Sequence, residues 1–132
     1  MELLDLGFVE AGEWKLRAGT RSGIMFELNK LQNERVIYAF VVSQESKYVG
    51  VCEKGTTTLE QRMARYKNLQ GEGANERIAR KIKECLDAGK IARIMAMKPE
   101  QSLQYRGVTV DLVRGLENPL IEKLKPPWNI RK

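Results

Sequence analysis

The chain has 132 residues, enough for one hydrophobic core and too few for two domains of ordinary size, and its 42% hydrophobic and 30% charged content excludes disordered and fibrous classes for the chain as a whole. A net charge of +6, from 23 Lys and Arg against 17 Asp and Glu, points to a polyanionic partner such as nucleic acid about as strongly as to simple solubility. Histidine is absent, which rules out Ser-His-Asp hydrolysis, Cys-His proteolysis, His-liganded zinc and any His general base, so hydrolytic chemistry must draw on Tyr, Lys, Glu or Asp.

The start, Met1 to Val9, carries Glu2 and Asp5 where a signal peptide would be basic and then apolar, and no run of about eighteen apolar residues occurs anywhere. A soluble, cytoplasmic protein is expected. Residues 1–35 hold two apolar patches, Leu3 to Val9 and Ile24 to Leu28, around a basic, glycine-bearing turn from Arg17 to Gly23; they read as an N-terminal extension able to pair as extra strands. Cys52 and Cys85 have neither CxxC spacing nor a His partner and read as reduced, packed thiols.

From Val36 to Val42 the run is rich in β-branched and aromatic residues, and a second such run, Lys47 to Cys52, follows the polar Ser43 to Ser46. This predicts an antiparallel hairpin. A side-chain period of two puts Tyr38 with Val36, Phe40 and Val42, and Tyr48 with Gly50 and Cys52, so that both tyrosines could face one site. After a turn at Lys54-Gly55, Thr57 with Glu60 three positions on matches a capping box that opens a helix. Leu59, Met63 and Tyr66 recur along it at helical spacing, Arg62 and Tyr66 are i,i+4 neighbours, and the polar stretch Gly71-Glu72-Gly73 ends it. Asn75 to Ala88 predicts a basic amphipathic helix, with Ile78, Ile82, Cys85 and Leu86 on one stripe and Gly89 as its stop. Its basic face reads more readily as a solvated surface laced with Glu76/Arg80 and Lys83/Asp87 pairs than as a dedicated contact surface. Ile91 to Met97 predicts a third strand, Val108 to Val113 alternates as a further one, and Leu116 to Leu124 a short helix stopped by Pro126-Pro127, with Pro119 confined to its first turn and Glu117 therefore at its start.

The order Val36-Ile37-Tyr38, then Tyr48-Val49-Gly50, then an Arg in the first helix, then a late Glu and a final Asn within LENPLIEKLKPPWNI (Leu116 to Ile130) resembles the GIY-YIG nuclease family. The resemblance spans Val36 to Asn129 and leaves residues 1–35 unmatched, so residues 36–132 form the expected core. Val36 stands where the family has Gly, and Val51 where many members have Lys, for which Lys54 is the nearest substitute.

The resemblance implies an α+β fold, a small antiparallel three-stranded sheet flanked by helices, in the same order as the elements read above. It implies a magnesium-dependent DNA endonuclease, with Mn²⁺ as an alternative ion, and a catalytic set of Tyr38, Tyr48, Arg62, Tyr66, Glu117 and Asn129. Glu117 would hold the single ion, Arg62 would meet the scissile phosphate, and Tyr38 or Tyr48 would be the general base, with Tyr38 preferred and Tyr48 orienting. Tyr66 would donate to the phosphate, and Asn129 would tie the C-terminal turn to the site. Lys54, Arg65, Asn75 and Arg77 are the expected contacts to the DNA backbone. Double-stranded DNA in a bacterial or phage-infected cell is the implied substrate, and cutting both strands would be easiest for a homo-oligomer presenting two sites. The competing reading is an inactive nucleic-acid-binding module of the same fold.

Overall fold

The structure, a computed structural model, describes residues 2–71, 73–100 and 103–130; Glu72, in the stretch expected to end the first helix, lies outside them. At its centre is β3 (Ile37–Val42), all six of whose residues are buried. A strand of Ile, Tyr, Ala, Phe and Val suits a position covered on both faces. It pairs antiparallel with β4 (Glu45–Val51) on one side and β5 (Ala92–Met97) on the other, as the three predicted strands require.

The sheet does not stop at three strands. β1 (Val9–Leu16) pairs antiparallel with β5, and β2 (Ile24–Leu28) with β1, which gives five strands in the order β2-β1-β5-β3-β4. The N-terminal extension is therefore part of the core sheet. Its Ala11, Trp14 and Ile24 are buried in the same cluster as Tyr38 and Phe40, because a strand as apolar as β5 cannot be left with an open edge.

Alternation along β3 divides the core in two. Tyr38, Phe40 and Val42 point to a layer made by α2 (Leu59–Lys67) and α3 (Gly73–Asp87), through Leu59, Met63, Tyr66, Ile78 and Ile82. Ile37, Ala39 and Val41 point the other way, to Leu3 of α1 (Glu2–Asp5), Val113 of α4 (Leu112–Gly115) and Leu120 of α5 (Glu117–Leu124). No described helix is long and apolar enough to cross a membrane.

Two local expectations are corrected. The cap of α2 is Thr58, not Thr57: the Thr58 hydroxyl accepts from the Gln61 N–H at 3.3 Å and the Gln61 side chain accepts from the Thr58 N–H at 3.0 Å. The run Thr57-Thr58-Leu59-Glu60-Gln61 satisfies the box pattern in two registers, and burial of Thr57 selects the second. Val108 to Val113 is not a core strand. Among the described residues Val108–Val110 (β7) pairs only with Leu103–Tyr105 (β6) in a separate hairpin, whose turn at Arg106 and Gly107 has φ of 52° and 81°, the twist that two-residue hairpins favour. Asp111 then opens α4, its carboxylate accepting from the Val113 and Arg114 N–H groups.

Candidate active site

On the α2/α3 side of the sheet, Tyr38, Phe40, Tyr48 and Tyr66 form a continuous aromatic cluster with ring centroids 5.4 to 6.5 Å apart. Gly50 lies opposite Tyr38 in the β3–β4 register. A Cβ there would stand 2.5 Å from the Tyr38 hydroxyl oxygen and 2.6 Å from its ring, so the glycine of the second triplet makes room for the tyrosine of the first. Tyr38 is fully buried, and its hydroxyl pairs with that of Tyr66 at 2.6 Å. Burial drives the ionisation of both phenols upward, and for Tyr66 the neighbouring Tyr38 adds to it.

Above this cluster lies a cleft of about 520 Å³ lined by Tyr48, Lys54, Arg62, Arg65 and Asn75, together with Glu53, Thr57 and Gln70. Arg62, half-buried on α2, lays its guanidinium over the Tyr66 ring, 4.6 Å from the centroid. Both of its terminal nitrogens donate to Asn75 Oδ1 at 3.2 and 3.3 Å, and the Asn75 amide in turn donates to the Gln70 carbonyl. Partial burial works against the Arg62 charge, but Tyr38, Tyr66 and Tyr48 outweigh it and the group stays firmly cationic. The result is a planar cation stacked on one side, braced at its tip and open to the cleft.

Glu117 starts α5, in the opposite layer, yet its carboxyl feels the charges of Glu53 and Arg62 on the cleft. Burial and then Glu53 raise its ionisation from the ordinary glutamate value, against the pull of Arg114 and Arg62. The C-terminal turn is tied in as expected of Asn129: its side chain accepts from the Val49 N–H and donates to the Val49 carbonyl, each at 2.9 Å, directly beside Tyr48.

The predicted site residues thus separate into groups. Tyr48, Lys54, Arg62, Arg65 and Asn75 line the cleft, while Glu117 does not line it and is linked to it through the charges of Glu53 and Arg62. Tyr38 and Tyr66 lie beneath it with no solvent exposure, Asn129 acts on the backbone of β4, and Arg77 does not line the cleft. Glu53, Thr57 and Gln70 were missed. The first could have been found from the adjacent charges Glu53-Lys54 directly after a strand end, a place where loops carry function.

No group of three or more acidic or thiol side chains comes together among the described residues. A half-buried carboxylate held beside a second negative charge fits a hard cation that keeps most of its waters. The residue that could hold such an ion here is Glu117.

No protein-family model matches this chain, and no curated protein sequence does. Among solved structures, a glutamate-to-alanine mutant of bacteriophage T4 EndoII is similar over 93% of this chain and 91% of its own, with 22% identity and a TM-score of 0.66. The restriction endonuclease HPY188I in complex with product DNA is similar over 92% of this chain and 76% of its own, with 18% identity and a TM-score of 0.55. The chain shares the fold of both.

Proposed function

We propose that the chain is a DNA endonuclease of the GIY-YIG type that hydrolyses phosphodiester bonds with one Mg²⁺ or Mn²⁺. One observation carries the reading: a tyrosine and a braced arginine, each at its motif position, line a single cleft, and the half-buried Glu117 carboxyl interacts electrostatically with Glu53 and Arg62 of that cleft. The fold likeness to T4 EndoII and to a restriction endonuclease in complex with product DNA supports it.

Phosphodiester hydrolysis needs a water, a group to take its proton, and positive charge where the transition state gathers negative charge. Tyr48 is assigned as the base, ahead of Tyr38, because its side chain lines the cleft whereas the Tyr38 hydroxyl is sealed beneath it and held protonated. A tyrosine serves as a base near neutral pH only beside positive charge, and Arg62 stands on the same wall. Arg62 can meet two phosphate oxygens with its fork. Glu117 would hold the ion, which when bound supplies Lewis-acid stabilisation. Lys54 and Arg65 extend the positive wall along the backbone of a duplex, while Asn75 acts on Arg62 and Asn129 on the strand of Tyr48. One cleft per chain nicks one strand, so double-strand cutting calls for two copies.

Plasmid nicking with and without Mg²⁺ tests the reading. Tyr48→Phe should lower the nicking rate by about 10²- to 10⁴-fold, the usual worth of a positioned base, and Tyr38→Phe should leave it within a few-fold. Wild-type cleavage in excess chelator, or no nicking of any DNA in Mg²⁺ or Mn²⁺, would overturn the proposal.

A further inference from the structure

We infer that Arg35 and Asp111 are positioning residues that latch the Glu117 helix to the lip of the cleft; this rests on the proposed role of Glu117. Arg35 sits just before β3 with its guanidinium between two segments. On one side it donates to three consecutive backbone carbonyls: from Nε to Cys52 at 2.8 Å and Lys54 at 3.0 Å, and from Nη2 to Glu53 at 2.7 Å. These carbonyls have left the β4 ladder and belong to the lip that carries Glu53 and Lys54. On the other side Nη1 and Nη2 meet the two carboxylate oxygens of Asp111 at 2.8 and 2.7 Å.

Asp111 is also the cap of α4, through the Val113 and Arg114 N–H groups at 3.2 and 3.4 Å. α4 is four residues long, and Leu116, which ends it, is the residue from which α5 begins with Glu117. A short, hydrogen-bonded path therefore runs from the lip through one guanidinium to the start of the ion-holding helix. Only arginine can do this, since a lysine has no planar fork to divide between a bidentate carboxylate and a row of carbonyls. The wall bearing Arg62 and the helix bearing Glu117 belong to opposite layers of the sheet, and the latch spans the two.

Asp111→Asn separates latching from capping, because asparagine caps a helix about as well as aspartate but offers the guanidinium an N–H in place of one oxygen. Arg35→Met removes the latch from the other side. At a temperature where both variants are folded, each should need roughly 10- to 100-fold more Mg²⁺ for half-maximal nicking, the usual cost of losing a group that orients a metal ligand, and Asp111→Asn should regain most of its rate at saturating Mg²⁺. A role confined to stability would lower the melting temperature and leave the Mg²⁺ midpoint where it was, which would overturn the inference. Amide exchange reads the latch without cleavage: in Asp111→Asn, residues 53–57 and 112–117 should lose protection together, and loosening of 112–117 alone would equally refute it. A wild type that nicks nothing would count against the endonuclease reading, and the exchange result would still decide the latch.

Discussion

The Tyr38–Tyr66 hydroxyl pair offers a sharp thermodynamic test of how this core is built. Both rings are fully buried, and the 2.6 Å contact is the only side-chain hydrogen bond found for either hydroxyl among the described residues. Replacing either tyrosine by phenylalanine strands the other hydroxyl in an apolar cluster, at about 1–3 kcal/mol. Replacing both leaves no orphan, since two apolar rings of nearly the same shape remain. The double variant should therefore be no less stable than the worse single one, although additivity would place it about 2–6 kcal/mol down. For a domain of this size each kcal/mol corresponds to roughly 3–5 °C in melting temperature, well within reach of calorimetry or urea titration. Additive losses in the cycle would mean that the hydroxyls do not act as a pair and that the aromatic rings alone hold this part of the core.

Gly50→Ala should cost about 1–3 kcal/mol by overpacking, because its Cβ would meet the ring as well as the hydroxyl of Tyr38; full rescue by Tyr38→Phe would show that the clash is with the oxygen alone. Arg35 holds the Asp111 carboxyl below its usual range, so the stability from this pair is fully present above about pH 4, the ordinary aspartate value, and fades as pH falls through the lowered folded value. Asp111→Asn should flatten that acid limb in a melting-temperature series against pH, and an unchanged limb would contradict the assignment. Glu117→Ala should abolish nicking in Mg²⁺ while preserving or tightening duplex binding in chelator, since a raised carboxyl near the phosphate path gives up only repulsion when no ion is bound; retained cleavage with an unchanged metal response would reduce Glu117 to a helix-start residue.

Legibility in the sequence followed how local each signal is. The hairpin of β3 and β4, the strand β5 and the helix α3 were plain because their period and composition agree over many residues. The hairpin of β6 and β7 was read as a core strand because Val108 and Val110 alternate properly; nothing in alternation says whether a strand has a layer to pack on, and here Leu103, Tyr105 and Val108 are 53%, 67% and 66% exposed. Period two placed Tyr38 on the correct face but was silent about depth, which is set by α2 closing over it and decides between Tyr38 and Tyr48. The sequence points to Arg62 as a catalytic residue at the scissile phosphate and to Asn75 as a DNA contact, whereas their bond to one another depends on how α2 and α3 meet. Arg35 and Asp111, 76 positions apart, share no local pattern at all and became visible only in three dimensions.

The side chain of Asn129 imitates a piece of backbone. β4 is an outer strand of the sheet, and strands in that position invite a foreign strand to continue the ladder. Here the Val49 N–H and carbonyl are taken by the Asn129 amide, and the Lys47 carbonyl by the Trp128 N–H, so a would-be partner finds this stretch already occupied by a short plug behind two prolines. The residue expected to serve only the site is thus also a guard against self-templated growth. Asn129→Asp, which keeps an acceptor but has no N–H for the Val49 carbonyl, should half-open that edge and show itself as concentration-dependent aggregation, with the sheet otherwise intact. A further strand could not pair over residues 47–49 of β4 while this plug is in place.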